Sequence, residues 1–105
     1  MIYIRYINIT MLKKLKISNL SFRKKKILFK CTNRGTKELD ILLGNYVSKH
    51  INLLKSKELD NLDIILNFSD LDLFKILTKK KKIDNKMNKY FIKKIIKFNQ
   101  DINKH

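Results

Sequence analysis

The sequence predicts an all-α protein, a compact bundle of five short helices, on three observations. After Arg23 the apolar residues recur at spacings of three and four rather than in alternation. Helix-opening signals precede those stripes at Gly35, Ser56, Ser69 and Asp84-Asn85. The 105 residues contain no proline and two glycines, so no hairpin turn signal supports a competing β architecture.

The elements follow in order. Ile27, Leu28 and Cys31 sit at i, i+1 and i+4 and predict a first helix ending near Asn33. Leu39, Leu42, Leu43, Tyr46, Val47 and then Ile51 keep the spacing of one helical face, so a second helix of about three and a half turns starts near Lys37. Ser56 is the expected N-cap of a third helix whose apolar side carries Leu59, Leu62, Ile65 and Leu66, with Asp60 and Asp63 off that stripe. Ser69 and Asp72 form an S-x-x-D capping signal for a short fourth helix with Leu73, Phe74, Ile76 and Leu77 as its apolar content. Lys79 to Lys82 read as a solvated loop. Asp84 or Asn85 then opens a fifth helix, with Met87, Phe91, Ile95 and Phe98 as its stripe and Lys89, Lys93 and Lys97 as its basic face.

The length bounds the chain to one small domain, assigned to residues 23–105. Residues 1–22 form a basic, acid-free N-terminal extension, expected to be poorly ordered because its first ten residues alternate like a strand with nothing to pair with. Met11 offers an alternative start to Met1. Hydrophobic residues at 44 % and charged residues at 32 % give a globular balance.

A formal charge of +16 raises the possibility of a nucleic-acid binder. Against it, 22 of the 25 basic residues are Lys and 3 are Arg, whereas bidentate reading of phosphate or guanine favours Arg. Lys, Ile and Asn dominate and Ala is absent, which fits drift toward A/T-rich codons. The charge is also uneven: the stretch from Glu38 to Thr78 holds 7 acidic and 4 basic residues, between two strongly basic ends. A specific function is expected in that middle, where drift toward Lys was resisted.

Several chemistries lack their residues. Cys31 is the single cysteine, which excludes an intrachain disulfide and a thiolate zinc cluster and suggests a small buried hydrophobe in a reducing compartment. No run approaches 18 apolar residues, so no membrane span is expected. His50 suits the negative end of its helix rather than a metal site, and no nucleophile–base pair is visible, so catalysis is not expected. Tyr46 belongs to the apolar stripe. Gly44 sits mid-helix at a cost of about 1 kcal/mol against Ala, which either a close helix crossing or a close partner approach would explain.

The stretch NRGTKELD at residues 33–40 is the most informative. With Gly35 at or beside an N-cap, Glu38 falls in the first turn, where its charge complements the helix dipole and can reach a free N–H. Arg34 stays unexplained, since a cation at a helix N-terminus is unfavourable. The residues alone leave a structural and a functional reading both open. Asp70 and Asp72 are read in the same way as first-turn acids favourable to the fourth helix, ahead of any paired-carboxylate chemistry.

Arg34-Gly35-Thr36-Lys37-Glu38 matches an R-G-x-x-E motif. Together with RGTKELDILLG opening an amphipathic helix and SDLDLF in the fourth helix, it resembles the family of small assembly factors that promote covalent attachment of FAD to the flavoprotein subunit of succinate dehydrogenase. The resemblance covers about residues 23–98. This sequence departs from the family pattern at Asn33, Leu71 and Ile76, where a basic or aromatic residue, Pro and Trp are frequent.

The resemblance implies a five-helix bundle with no catalysis of its own that docks on the flavoprotein beside its FAD site. Fumarate reductase is the alternative partner. Arg34 would reach a carboxylate or carbonyl of the partner, Gly35 would allow close backbone approach, and Glu38 would accept hydrogen bonds or pair with a basic group. Lys37, Asp70 and Asp72 would belong to the wider partner surface. No metal is implied, and no cofactor is expected to be held stably by the factor itself, which acts on FAD in the partner. A monomer in the bacterial cytoplasm is expected, with the mitochondrial matrix as the alternative. The competing class is a small basic helical nucleic-acid-binding protein.

Overall fold

The structure, a computed structural model, describes residues 20–102. The described residues form the expected five-helix plan with its second helix in two segments: α1 (Phe22–Thr32), α2 (Lys37–Leu42), α3 (Gly44–His50), α4 (Ser56–Ile65), α5 (Asp70–Leu77) and α6 (Lys89–Ile102). No strand occurs among them. The expectations on residues 1–19 lie outside the described residues. Leu20, buried, and Ser21, whose hydroxyl accepts the Lys24 N–H at 3.2 Å to cap α1, already belong to the bundle.

One core unites the elements, and most of its members come from the stripes read from the sequence; Ile92 and Ile96 join it from outside the predicted stripe, while Leu42, Leu66, Phe74 and Phe98 are only partly buried against it. Ile27, Leu28 and Cys31 of α1, Leu39, Leu43, Tyr46 and Val47 of α2 and α3, Leu59, Leu62 and Ile65 of α4, Leu73, Ile76 and Leu77 of α5, and Phe91, Ile92 and Ile95 of α6 are all buried. Burying aliphatic side chains of this size contributes about 1.5–3 kcal/mol each, which is why short helices of modest propensity hold together here.

The expected single second helix is interrupted at Leu43. Its N–H still donates to the Leu39 carbonyl at 2.8 Å and its carbonyl accepts the Val47 N–H at 3.1 Å, so the helical path continues through the irregularity. The carbonyl of Leu42 is taken by Asn99 of α6, whose Nδ2 donates to it at 2.8 Å and to the Ile95 carbonyl at 3.0 Å. A buried amide from another helix thus shares the ladder of this one. The adjoining Gly44 is buried against α1: an added Cβ would stand 3.1 Å from the Cys31 carbonyl oxygen and 3.2 Å from Thr32 Cγ2. Of the two explanations open for this glycine, a close crossing of α1 and α3 is present.

Two helix starts differ from the sequence expectation. Ser56 is the first residue of α4 rather than its cap; the preceding Lys55 N–H is satisfied instead by the Glu58 carboxylate at 3.1 Å. The fifth helix opens at Lys89 and not at Asp84 or Asn85. Asp84 closes a local turn, its carboxylate accepting the Lys86 N–H at 2.8 Å, whereas Asn88 Oδ1 accepts the Phe91 N–H at 3.0 Å and caps α6. Met87, counted in the α6 stripe, is buried from this turn. Ser69 caps α5 as expected, accepting the Asp72 N–H at 3.2 Å.

Asp60 and Asp63, off the α4 stripe, converge on Arg23 of α1 at 2.5 and 2.9 Å. His50 ends α3, stacks on Tyr46 with ring centroids 4.3 Å apart, and shares a 2.7 Å hydrogen bond between Nδ1 and the Tyr46 carbonyl.

Candidate functional site

The NRGTKELD stretch connects α1 to α2. Asn33 ends α1, and its Nδ2 donates to the Phe29 carbonyl at 3.0 Å. Gly35 takes φ +102°, a backbone conformation that side chains disfavour, and a Cβ placed there would meet nothing within 4 Å. The glycine is therefore needed for the bend itself, and the bend is open to its surroundings. Thr36 is the N-cap of α2, its hydroxyl accepting the Leu39 N–H at 3.4 Å, so Glu38 lies in the first turn as read from the sequence.

Arg34 is the hub. Its side chain is only 12 % exposed. Nε donates to Asp70 Oδ1 at 2.8 Å, one terminal nitrogen donates to the Leu66 carbonyl at 3.1 Å, and the other donates to the Phe68 carbonyl at 2.7 Å. Leu66 is the C-cap of α4 and Asp70 opens α5. The cation that looked misplaced at the start of α2 thus serves the carbonyls at the C-terminal end of α4, where a positive charge is favourable, and the Asp70 carboxylate, whose opposite charge draws it to the start of α5.

The Arg34 backbone is held as well: its N–H donates to Asp40 Oδ1 at 2.8 Å. Asp40 is buried in the first turn of α2, and burial pushes its carboxyl above the usual Asp range, partly opposed by the bond from the Arg34 N–H. Asp72 is different. Lys81 Nζ lies 3.0 Å from Asp72 Oδ1, and this partner holds the Asp72 carboxyl below its ordinary value.

The structure therefore joins Arg34 to Asp70 and separates Asp72 from both. Beside the Arg34–Asp70 pair, Thr36, Glu38, Asp70, Leu71 and Phe74 line an open groove of about 470 Å³. Glu38 is exposed and makes no hydrogen bond or ion pair among the described residues. Leu71 is 61 % exposed. Lys37 is exposed in the same first turn.

Two residues of this site were missed by the sequence reading. Asp40 is visible only as an acid four residues into the helix; its role depends on the Gly35 bend returning the Arg34 N–H to it. Leu71 left a signal, since an apolar residue between two aspartates stands off the Leu73, Ile76 and Leu77 stripe. Among the described residues no group of three or more His, Cys, Asp or Glu side chains is placed to hold a metal, and no helix is long and apolar enough to cross a membrane. Cys31 is fully buried and its thiol is pushed up to about 12 by that burial.

Fold and site together define a class: a small all-α scaffold whose motif arginine is built into the framework and borders an open, partly apolar groove. Residues 25–99 match the model of the family described as the flavinator of succinate dehydrogenase, and the chain belongs to that family. It is 28 % identical over 83 residues to the mitochondrial succinate dehydrogenase assembly factor 2 of Candida glabrata, covering 79 % of this chain and 54 % of that protein. It is 34 % identical over 55 residues to the FAD assembly factor SdhE of Acetobacter pasteurianus, covering 52 % of this chain and 50 % of that one. The mitochondrial assembly factor 2 of Dictyostelium discoideum shares 31 % over 67 residues, 64 % of this chain and 48 % of its own. The chain spans about half the length of these curated relatives. Both bacterial and mitochondrial proteins are among them. No solved structure matches it.

Proposed function

We propose that this chain is a non-enzymatic assembly factor that docks on the flavoprotein subunit of succinate dehydrogenase, with fumarate reductase as the alternative partner, and promotes covalent attachment of FAD there. Family membership supports the reading, as do the names of its relatives, a succinate dehydrogenase assembly factor and an FAD assembly factor. The observation that carries the site is the division of labour in the motif. Arg34 and Asp70 are engaged with each other and with the α4–α5 connection, while Glu38, Leu71 and the open side of Gly35 are left facing out.

In this reading Arg34 and Asp70 are positioning residues. They fix the end of α4 and the start of α5 against the start of α2, and so set the separation of Glu38 from Leu71. Glu38 accepts hydrogen bonds or a cation from the partner. Leu71 and Phe74 supply apolar contact, and the bend at Gly35 admits the partner backbone closely. Lys37 lies at the edge, and Asp72 contributes through Lys81. The factor holds no cofactor stably by itself. It binds a conformation of the flavoprotein in which the partner's own residues attach FAD, a population shift rather than a group transfer. It acts as a monomer in a bacterial cytoplasm, the mitochondrial matrix being the alternative.

The test is co-expression with the flavoprotein, reading its capture and its covalent flavin fluorescence after denaturation. A Glu38→Ala, Leu71→Ala double variant should lower both while keeping the wild-type unfolding midpoint. If both stay at wild-type level the site is wrong, and if the wild-type chain neither captures the flavoprotein nor raises its covalent flavin, the function is wrong.

A further inference from the structure

The connection from α5 to α6 and the facing side of α6 enclose a second open groove, of about 660 Å³. Its rim carries Lys79, Lys80, Lys81, Lys82, Lys93 and Lys97; Ile76 and Ile96 lie buried beneath it, and Ile83 is half-buried at its surface. Lys81 pairs with Asp72 and Lys97 lies 3.9 Å from Asp101, but Lys79, Lys82 and Lys93 have no ion pair among the described residues. The lysine run is also not a slack loop. The N–H groups of Lys80 and Lys81 both donate to the Lys75 carbonyl, at 2.7 and 3.1 Å, and Lys79 is held at φ +65°, the sole described non-glycine residue with positive φ. With the Lys79 N–H donating to the Ile76 carbonyl at 3.1 Å, these bonds form a Schellman cap that satisfies the last carbonyls of α5 and fixes where the lysines stand on the rim.

We propose that this groove is a docking site for an acidic segment of a protein partner, with carboxylates on the lysine rim and an aliphatic side chain against Ile83 and the lysine stems. Two features select a protein segment over nucleic acid. No aromatic ring lines the groove for a base to stack on, and no arginine offers bidentate contact to phosphate or guanine. Ile83, half-buried, and the aliphatic stems of the lysines around it are, by contrast, complementary to an aliphatic anchor. The groove also adjoins the docking face described above: Lys80 Nζ lies 5.6 Å from the centroid of the Phe74 ring, and Phe74 lines the groove beside Glu38. One partner can therefore span both. That the flavoprotein carries the acidic segment rests on the proposed function; the chemistry of the groove does not.

The experiment compares the full chain with a Lys79→Glu, Lys82→Glu, Lys93→Glu variant and its glutamine counterpart, all checked for an unchanged helical spectrum. Each is titrated against the flavoprotein, a labelled peptide of alternating Glu and Leu, and a short random DNA duplex, at two ionic strengths. Charge reversal should weaken peptide and flavoprotein binding by about tenfold or more at low salt and flatten the salt dependence, with glutamine intermediate. Peptide binding that is equal in wild type and charge reversal overturns the proposal, as does wild-type preference for the duplex over the peptide. Peptide binding lost on charge reversal, in a chain that does not capture the flavoprotein at all, upholds the groove and overturns the function proposed above.

Discussion

Arg34 Nε donates to Asp70 Oδ1 at 2.8 Å across 36 residues of sequence, and the rest of the guanidinium closes on the carbonyls of Leu66 and Phe68. A single side chain thereby ties the start of α2 to the end of α4 and the start of α5.

Arg34→Ala should therefore act first on the fold. It removes a planar donor set and leaves partly buried acceptors without it, an expected loss of about 2–3 kcal/mol in urea unfolding. Arg34→Lys should recover less than half of that, because one ammonium cannot reproduce the fork. Asp70→Asn keeps an acceptor oxygen and should cost about 1 kcal/mol. A loss of partner capture in the Arg34 variant thus needs comparison with Glu38→Ala, which touches no described hydrogen bond.

The two glycines should respond for different reasons. Gly35→Ala meets open space but an unfavourable φ, so it should destabilise by about 1 kcal/mol. Gly44→Ala gains helix propensity of about 1 kcal/mol and loses more by pressing on the Cys31 carbonyl, with a net destabilisation of about 1 kcal/mol. Thermal unfolding of each single variant measures both.

Asp40 makes stability depend on pH. Its folded pKa is raised by burial, so the unfolded chain ionises it first, and its contribution opposes folding once pH rises above the ordinary Asp value. Asp40→Asn keeps an acceptor for the Arg34 N–H and cannot ionise. The variant should gain stability relative to wild type as pH rises from about 4 to 7. Asp72, with its pKa lowered by Lys81, has the opposite sign: its contribution is present above the ordinary Asp value and is lost as pH falls through the folded value. Asp72→Asn should remove that acid-side loss. Denaturation at a series of pH values distinguishes the two variants.

Cys31 should be inert in the native state. With no exposure and a thiol raised to about 12, it should react with a thiol reagent at neutral pH only through opening of the bundle. Its labelling rate should rise in Arg34→Ala with the opening equilibrium, about tenfold for each 1.4 kcal/mol of lost stability, which mass spectrometry can follow.

Much of the architecture was legible because helical periodicity is a local property. Ile27, Leu28 and Cys31, or Leu73, Ile76 and Leu77, lie three or four residues apart, and burying one face of each helix is what the spacing permits. Ser69 and the first-turn position of Glu38 were equally readable, since a cap acts within one turn. The missed helix starts were local competitions, with Asn88 capping α6 and Asp84 closing its own turn.

What the chain order could not contain is contact between distant segments. The Leu42 carbonyl beside the interruption is taken by Asn99 from α6, and the meaning of Gly44 depends on the backbone of α1 crossing close to it. Above all, Arg34 reads from sequence as a cation at the wrong end of a helix. Packing of distant segments brings the end of α4 and Asp70 to it, and the favourable interactions are with those carbonyls and that carboxylate. The five-helix plan and the position of the motif were written in the chain order, because periodicity and capping act within a turn or two. Which motif residues brace the scaffold and which face outward was decided by tertiary packing, because hydrogen-bond partners dozens of residues apart leave no spacing to read.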